Sequence, residues 1–231
     1  MQLFAVGTDR RLHRWRYENG SWTGSDTITP LILNAGLFGP RCVSQQADGK
    51  IDLALAQEGT NSVYHLRIGP NGTYAGTPQD SVRSADLNGF LIRVGGNVTD
   101  VPTLIALNPM KVGILVPGTD GIVYSNWLTS RIIHPSDPRP FRTGSEGRGQ
   151  KTDFEYYWEG YRPISQPNIR VGGIARLTTN EITALAADER GRIFVNSFGG
   201  WMWTGFHPLL GQRADTQNQA LNFRPAVLTS H

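Results

Sequence analysis

The sequence predicts an all-β protein, more specifically a four-bladed β-propeller whose ring is closed by pairing of the C-terminal strand with the N-terminal blade. Three observations lead to this prediction. The 231 residues include 27 Gly and 14 Pro, which together exceed the usual ~7% and ~5% for these residues and suit a chain with many strands and turns. A hairpin pattern occurs four times, and its first copy lacks a strand that precedes the other three. Residues 1–231 are expected to form one domain, as is common for propellers of this length.

The hairpin pattern consists of an apolar run that alternates with period 2, a polar turn and a second short apolar run. Alternation of this kind is typical of a strand with two different faces, and a turn such as Gly118-Thr119-Asp120-Gly121 supplies the positive φ that tight hairpins need. The four copies are residues 3–13, 53–64, 114–124 and 183–194.

An inner strand is predicted before each of the last three hairpins, at 41–44, 103–107 and 171–177. The first hairpin begins at residue 2 and leaves no room for such a strand. The segment Arg224–Thr229 has the same apolar character but no hairpin after it. We therefore expect it to supply the missing strand, because closure protects strand edges that would otherwise be open. A β-sandwich is the alternative architecture. The predicted blades are 224–231 with 1–30, 40–80, 101–135 and 170–210.

An outer strand is predicted after each hairpin, and two long insertions separate the blades. The insertions are residues 80–97 and 135–168, and long loops in a repeat protein often carry function. The outer strands are predicted at 21–28, 73–76, 131–134 and 201–206.

Composition restricts the possible partners. The net charge of +3 comes without a dense basic stripe, so nucleic acid is not an expected partner. No apolar run approaches 18 residues, which predicts a soluble protein without a membrane partner, either cytoplasmic or secreted by a signal that the chain does not show. The single Cys42 excludes an intramolecular disulfide, and the five scattered His residues predict no metal site. No cofactor is predicted, and the oligomeric state is left open.

Two of the repeat units carry a recognisable set of motifs. The first reads Phe4-Ala5-Val6-Gly7-Thr8-Asp9, then Leu12-His13-Arg14-Trp15 and Ser21-Trp22-Thr23-Gly24, and the third repeats Gly118-Thr119-Asp120-Gly121 and has Trp127 near the Trp position. These motifs resemble the repeats of propeller lectins of the tectonin and Photorhabdus-lectin type. The resemblance implies a non-catalytic, carbohydrate-binding propeller in which Trp15, Trp22 and Trp127 contact a glycan or another small ligand. Stacking of an aromatic ring on the weakly apolar face of a sugar is physically reasonable.

The longer insertion contains the densest aromatic cluster, together with three carboxylates. Its predicted ligand contacts are Tyr156, Tyr157, Trp158, Tyr161 and Arg162, although a buried cap without function would also explain the aromatic residues. The three carboxylates could act as acid and base in glycoside cleavage, with Asp120 and Asp188 from the turns as candidate partners. Turn Asp residues usually bond their own backbone, however. A glycoside-active or secondary-metabolism propeller enzyme is therefore an alternative, and a protein-interaction scaffold is a further one. The three carboxylates are Asp153, Glu155 and Glu159.

Overall fold

The computed structural model describes residues 1–69, 72, 74, 77–84, 87–108, 110–133, 154–166, 169–176, 181–188, 192–199 and 202–213. Two short 3-10 helices, Ala35–Leu37 and Pro40–Cys42, lie among strands, and the all-β prediction is confirmed. The strands are β1 (Gln2–Val6), β2 (Leu12–Glu18), β3 (Ser21–Thr27), β4 (Val43–Gln45), β5 (Ile51–Ala56), β6 (Val63–Ile68), β7 (Ser81–Ser84), β8 (Leu91–Gly95), β9 (Thr103–Asn108), β10 (Lys111–Pro117), β11 (Val123–Ile132), β12 (Phe154–Trp158), β13 (Arg162–Pro163), β14 (Ile169–Arg176), β15 (Glu181–Asp188), β16 (Arg192–Gly199) and β17 (His207–Arg213).

These strands form four sheets, which follow one another along the chain except that β7 of the third sheet precedes β8 of the second. The first sheet has the order β1-β2-β3 and the second β4-β5-β6-β8. The third has the order β9-β10-β11-β12-β7, with β13 also paired to β11, and the fourth has the order β14-β15-β16-β17. The named strands within each sheet pair antiparallel with their neighbours. The four predicted hairpins correspond to β1-β2, β5-β6, β10-β11 and β15-β16.

Turn chemistry explains why the hairpins form where they do. Asn19 and Gly20, between β2 and β3, have φ of 51° and 81°, the pair of positive values that a two-residue hairpin turn needs. In the third hairpin Gly121 takes the positive φ of 74°, whereas in the first hairpin a non-glycine residue, Arg10, takes it at 58°. The Gly-Thr-Asp turns thus behave as the sequence predicts.

Successive sheets pack face to face through three hydrophobic clusters. The cluster between the first and second sheets includes Leu12, Leu53 and Leu66. Because side chains alternate along a strand, the other face of the second sheet, with Ala54 and Val63, packs on the third sheet. The third sheet in turn packs its opposite face on the fourth. That last cluster includes Leu115, Val123, Ala184 and Phe198.

Three outer strands differ from their predicted positions. Leu91–Gly95, within the range predicted as an insertion, pairs with β6 in the place expected for 73–76. Residues 131–132 belong to the long β11, and the strand outside it is Phe154–Trp158, from the second predicted insertion. In the fourth sheet the outer strand is His207–Arg213 instead of 201–206. The chain therefore uses both long segments to complete sheets, which a local pattern does not reveal because the pairing is non-local.

Several predicted features lie outside the described residues. They include Asp153, much of 135–168 and the segment Arg224–Thr229 that is expected to close the ring. The predicted outer strand Ser21–Ile28 is found as β3, and the inner strands at 103–107 and 171–177 are found as β9 and β14. The inner strand predicted at 41–44 begins as a 3-10 helix and continues as β4.

Candidate functional site

A buried polar cluster lies on the face of the second sheet that meets the third. Asp52 on β5 is directly opposite Arg67 on β6. Its Oδ1 accepts hydrogen bonds from Nε2 of His65 at 2.7 Å and from Nε of Arg67 at 2.8 Å. Its Oδ2 accepts from Nη2 of Arg67 at 3.2 Å and from Nε2 of Gln46. All four residues are buried, so the carboxylate is satisfied entirely by protein groups.

The electrostatics of this cluster favour an ionised Asp52. Burial alone would raise the pKa of Asp52, because it disfavours the charged form. The hydrogen bonds and charges of His65 and Arg67 outweigh burial and hold the pKa of Asp52 well below its ordinary value. The cluster is therefore a hydrogen-bonded ion pair inside the fold, a type of group that tolerates the loss of one partner poorly.

Trp158 brings the third sheet to this cluster. Its ring lies 5.5 Å from the His65 ring, centroid to centroid, in an edge-to-face arrangement with an interplanar angle of 79°. Nδ1 of His65 and Nε1 of Trp158 are both buried, and neither has a hydrogen-bond partner among the described residues. This interface therefore contains two ring nitrogens whose hydrogen-bonding capacity the described residues do not use.

The other aromatic residues on this side of the third sheet join it to the second sheet. Tyr156 is buried and its hydroxyl donates to Sδ of Met110 at 3.8 Å. The Tyr161 hydroxyl donates to the carbonyl oxygen of Gly95 at 3.0 Å, and burial raises the pKa of Tyr161. Both rings pack with the cluster between these sheets, which supports the interpretation of a packed cap for part of the aromatic segment.

Glu155 and Tyr157 point to the opposite side of β12, as alternation requires. Oε2 of Glu155 accepts a hydrogen bond from Nε of Arg131 at 2.6 Å, and Oε1 accepts from Oγ of Ser81 at 3.2 Å. Arg83 lies 3.9 Å from the same carboxylate. Glu155 is buried, so these cross-strand contacts hold a carboxylate between two Arg residues.

Glu159 and Arg162 follow β12 and lie at the surface. Nη2 of Arg162 is 3.8 Å from Oε2 of Glu159, and both side chains are exposed. An exposed pair of this kind adds little to stability. The carboxylate of Glu159 lies beyond the end of β12, whereas the carboxylate of Glu155 is buried within the strand.

Trp127 lies between the third and fourth sheets. Its ring stacks on Phe198 with centroids 4.6 Å apart and an interplanar angle of 23°. Gly113 lies opposite Trp127 in register, and the absence of a side chain there leaves room for the indole. Trp127 is half-buried and packs against the core.

Trp15 and Trp22 belong to the first sheet. Trp22 on β3 is 48% exposed and lies beside Tyr17 of β2, which is 40% exposed, with ring centroids 5.4 Å apart. Trp15 is half-buried, and its ring lies 6.0 Å from that of His13. Tyr17 and Trp22 therefore form an exposed aromatic pair, which we call the Tyr17–Trp22 pair.

The predicted site residues are thus distributed over several places. Tyr156, Trp158 and Tyr161 come together between the second and third sheets, whereas the aromatic residues of the first sheet are elsewhere. The cluster of Asp52, His65 and Arg67 was not predicted from the sequence. The sequence does contain an indication of this cluster, because Asp52 interrupts the apolar run of β5. The hairpin register places it opposite Arg67, two residues after His65.

Comparison with known protein families and with curated proteins gave no match to this sequence. Within the part of the chain that the structure describes, no group of three or more His, Cys, Asp or Glu side chains is placed to hold a metal ion. No helix among the described residues has the length and apolarity needed to cross a membrane.

Proposed function

We propose that the protein is a non-catalytic, lectin-like carbohydrate-binding protein, and that a sugar binds on the Tyr17–Trp22 pair. One observation carries this proposal. Two large aromatic side chains lie in contact on the first sheet and remain 40% and 48% exposed. Adjoining apolar side chains that remain exposed on a protein surface often mark a binding site.

The surroundings of the pair suit a polyhydroxylated ligand. Six of the seven residues of β3 are exposed, and they include Thr27, which lies opposite His13 and so shares the face of Tyr17 and Trp22. A sugar presents a weakly apolar C–H face and a rim of hydroxyl groups, and the aromatic rings match the first of these and the Thr27 hydroxyl the second. Because one aromatic pair on an open surface buries little of a ligand, we expect affinity in the millimolar range, about 4 kcal/mol.

A glycan array followed by titration of the hits tests this proposal. Trp22→Ala should abolish binding, since it removes the larger ring, whereas Trp22→Phe should retain part of it. Ile132→Ala is a matched control, because Ile132 is 58% exposed and belongs to the third sheet. Absence of any glycan hit, or equal binding by the wild type and Trp22→Ala, would contradict the proposal.

The contacts of the carboxylates favour binding over glycoside cleavage. A general acid in a glycosidase must donate a proton to the leaving group, whereas both carboxylate oxygens of Glu155 accept hydrogen bonds from protein groups, Arg131 and Ser81. Glu159 faces Arg162 at the surface. If the protein proved active on glycosides and Glu155→Gln abolished turnover without loss of stability, the enzyme alternative would replace the lectin. A pull-down that retained a macromolecular partner, with no glycan bound, would favour the interaction scaffold.

We also propose that the four sheets are the blades of a closed four-bladed propeller. Three junctions between successive sheets are supported by the three hydrophobic clusters. Both outer faces of this series are apolar as well, since the first sheet presents Leu3 opposite Trp15 and the fourth presents Leu185 opposite Val195. Packing of the Leu3–Trp15 and Leu185–Val195 parts of these faces on each other would bury them, and burial of apolar surface is the main favourable contribution to such a junction. The Tyr17–Trp22 pair lies on the same face of the first sheet, but beyond the end of β1 and next to the Asn19–Gly20 turn, and would stay outside this junction.

The proposed closing strand is Arg224–Thr229, paired with the edge of β1 that lies away from β2. Among the described residues β1 pairs only with β2, and its sheet has three strands where the second and fourth have four. Deletion of residues 224–231 should lower the melting temperature or cause association through the exposed edge. Deletion of residues 230–231 alone is the control and should change neither property. A full deletion that is as stable and monodisperse as its control would require a different arrangement.

A further inference from the structure

The turn between β2 and β3 places a chemically labile pair of residues at the protein surface. Asn19 and Gly20 are both exposed, and their φ angles are 51° and 81°. A Cβ placed on Gly20 would meet nothing within 4 Å, so the turn is open to solvent on that side. A backbone nitrogen attacks the side-chain amide of the preceding asparagine most readily when it belongs to glycine, because glycine has no Cβ to obstruct the approach.

The chain contains two further Asn-Gly pairs, and hydrogen bonds restrain one of them. Asn71 lies outside the described residues, whereas Asn88 is described and exposed. Oδ1 of Asn88 accepts a hydrogen bond from the backbone N–H of Gly69 at 2.7 Å. The N–H of Gly89 donates to the carbonyl oxygen of Arg67, also at 2.7 Å. The side-chain amide and the backbone nitrogen of this pair are therefore both engaged by other groups.

The pair in the turn has no comparable restraint. Among the residues that the structure describes, the Asn19 side chain forms no hydrogen bond and the N–H of Gly20 donates to no backbone oxygen. For the nitrogen of Gly20 to reach Cγ of Asn19, the turn must open locally. The strand that follows, β3, is largely exposed and contributes no residue to the hydrophobic clusters. Little packing therefore opposes such an opening.

We propose that Asn19 is a site of spontaneous deamidation in the folded protein, with the backbone nitrogen of Gly20 as the nucleophile. This nitrogen bonds to Cγ of Asn19 and gives up its proton. The bond between Cγ and Nδ2 breaks, and Nδ2 leaves with that proton as ammonia. Water then opens the cyclic succinimide at either of its two carbonyl carbons. One opening gives an aspartyl residue, and the other gives an isoaspartyl residue whose backbone runs through the former side chain.

The isoaspartyl product changes the hairpin beside the Tyr17–Trp22 pair. Glu18 and Ser21 are directly opposite each other, and the next pair in register is Tyr17 with Trp22. An isoaspartyl residue lengthens the backbone of the loop between Glu18 and Ser21, so the tight turn that Asn-Gly favours is lost. We therefore expect the contact between the two aromatic rings to weaken on conversion. This expectation does not depend on the function proposed for the pair.

The test is incubation of the full-length protein at mildly alkaline pH, followed by tryptic peptide mapping with mass spectrometry. Trypsin separates the two described pairs, because Asn19 falls in the peptide 17–41 and Asn88 in the peptide 84–93. In the folded protein Asn19 should show the mass gain of an amide converted to a carboxyl, and Asn88 should react several-fold more slowly. In concentrated urea the two residues should react at similar rates, because each is followed by glycine and neither is restrained.

A variant and the product ratio test the assigned residue and the ring mechanism. Asn19→Gln should lose the mass gain in the peptide 17–41, because the longer side chain closes a less favoured ring. The wild type should yield both aspartyl and isoaspartyl products, since water can open the succinimide on either side. The comparison of folded with unfolded wild type needs no variant, so it remains decisive even if Asn19→Gln folds poorly.

Four outcomes would overturn the inference. Equal rates for Asn19 and Asn88 in the folded protein would show that hydrogen bonding does not select the site. Conversion of Asn19 in urea but not in the folded protein would show that the turn does not open. A mass gain that persists in Asn19→Gln would place the modification at another residue. An aspartyl product without any isoaspartyl product would refute the attack by Gly20.

Discussion

Replacement of Asp52 by Asn tests whether the buried cluster stabilises the fold as its geometry indicates. The substitution preserves the size of the side chain and removes its charge. It leaves Arg67, with 5% of its side chain exposed, without the carboxylate that accepts two of its hydrogen bonds. The bond from His65 to Oδ1 is also weakened. The perturbation is therefore electrostatic, and it creates no cavity.

The expected magnitude follows from the burial of the pair. Loss of one partner of a buried ion pair costs about 3–5 kcal/mol. For a chain of 150–250 residues, 1 kcal/mol lowers the melting temperature by about 2–4 °C. Asp52→Asn should therefore melt roughly 6–20 °C below the wild type, a large fraction of the stability that a domain of this size usually has.

Urea and thermal unfolding of Asp52→Asn should be compared with Asp48→Asn as the matched control. Asp48 is paired with Lys50 at 2.9 Å but has 39% of its side chain exposed, so its loss should cost less than about 1 kcal/mol. Addition of Arg67→Met to Asp52→Asn should recover part of the lost stability, because the buried charge that the carboxylate had balanced is removed as well. Equal stability of Asp52→Asn and Asp48→Asn, or no recovery in the double variant, would refute this account of the cluster.

Three further predictions concern pH, the thiol and a close contact. The pKa of Asp52 in the folded protein lies below its ordinary 3.8, so the stability that ionised Asp52 contributes is complete above pH 3.8 and is lost as the pH falls below 3.8. Urea unfolding between about pH 5 and pH 2 should show this loss of stability in the wild type and not in Asp52→Asn. Burial raises the pKa of Cys42 to about 11, so a disulfide reagent at neutral pH should label Cys42 only after unfolding; rapid labelling of the native protein would contradict the burial. Gly113→Ala would place a Cβ 2.7 Å from the Trp127 ring and should lower the free energy of unfolding by about 1–3 kcal/mol. In the control Gly199→Ala the added Cβ meets nothing within 4 Å, so stability should hardly change. Equal melting temperatures of the two variants would show that Trp127 is free to move.

The sequence predicted the hairpins well because their signal is local. Alternation and turn residues lie within about a dozen positions of each other, and the pairing of β5 with β6 or of β15 with β16 depends on nothing else. The outer strands depend on distant partners. Phe154–Trp158 pairs with β11 on one side and with Ser81–Ser84 on the other, and no local pattern specifies that pairing. The prediction of long loops failed there for this reason.

The same difference explains what could be predicted of the candidate site. Trp22 was identified from a motif within one strand, and the structure shows it exposed. The contact of His65 with Trp158 joins residues from two sheets and could not be predicted from either segment alone. The pairing of Asp52, by contrast, could have been predicted from the sequence. A charged residue within an apolar strand requires a partner, and Arg67 occupies the position that hairpin register places opposite it.

The Asp residues of the repeated turns clarify what the lectin resemblance supports. Asp9 accepts hydrogen bonds from the backbone N–H of Arg11 at 3.1 Å and from Nε2 of His13 at 2.9 Å. Asp120 accepts in the same way from Ile122 at 3.0 Å and from the Tyr124 hydroxyl at 2.6 Å. Both carboxylates are therefore engaged within their own hairpins, as turn Asp residues usually are. The Gly-Thr-Asp motif thus accounts for the repeated hairpin and supports the propeller proposal, whereas the sugar binding that we propose rests on residues outside that motif, foremost Trp22.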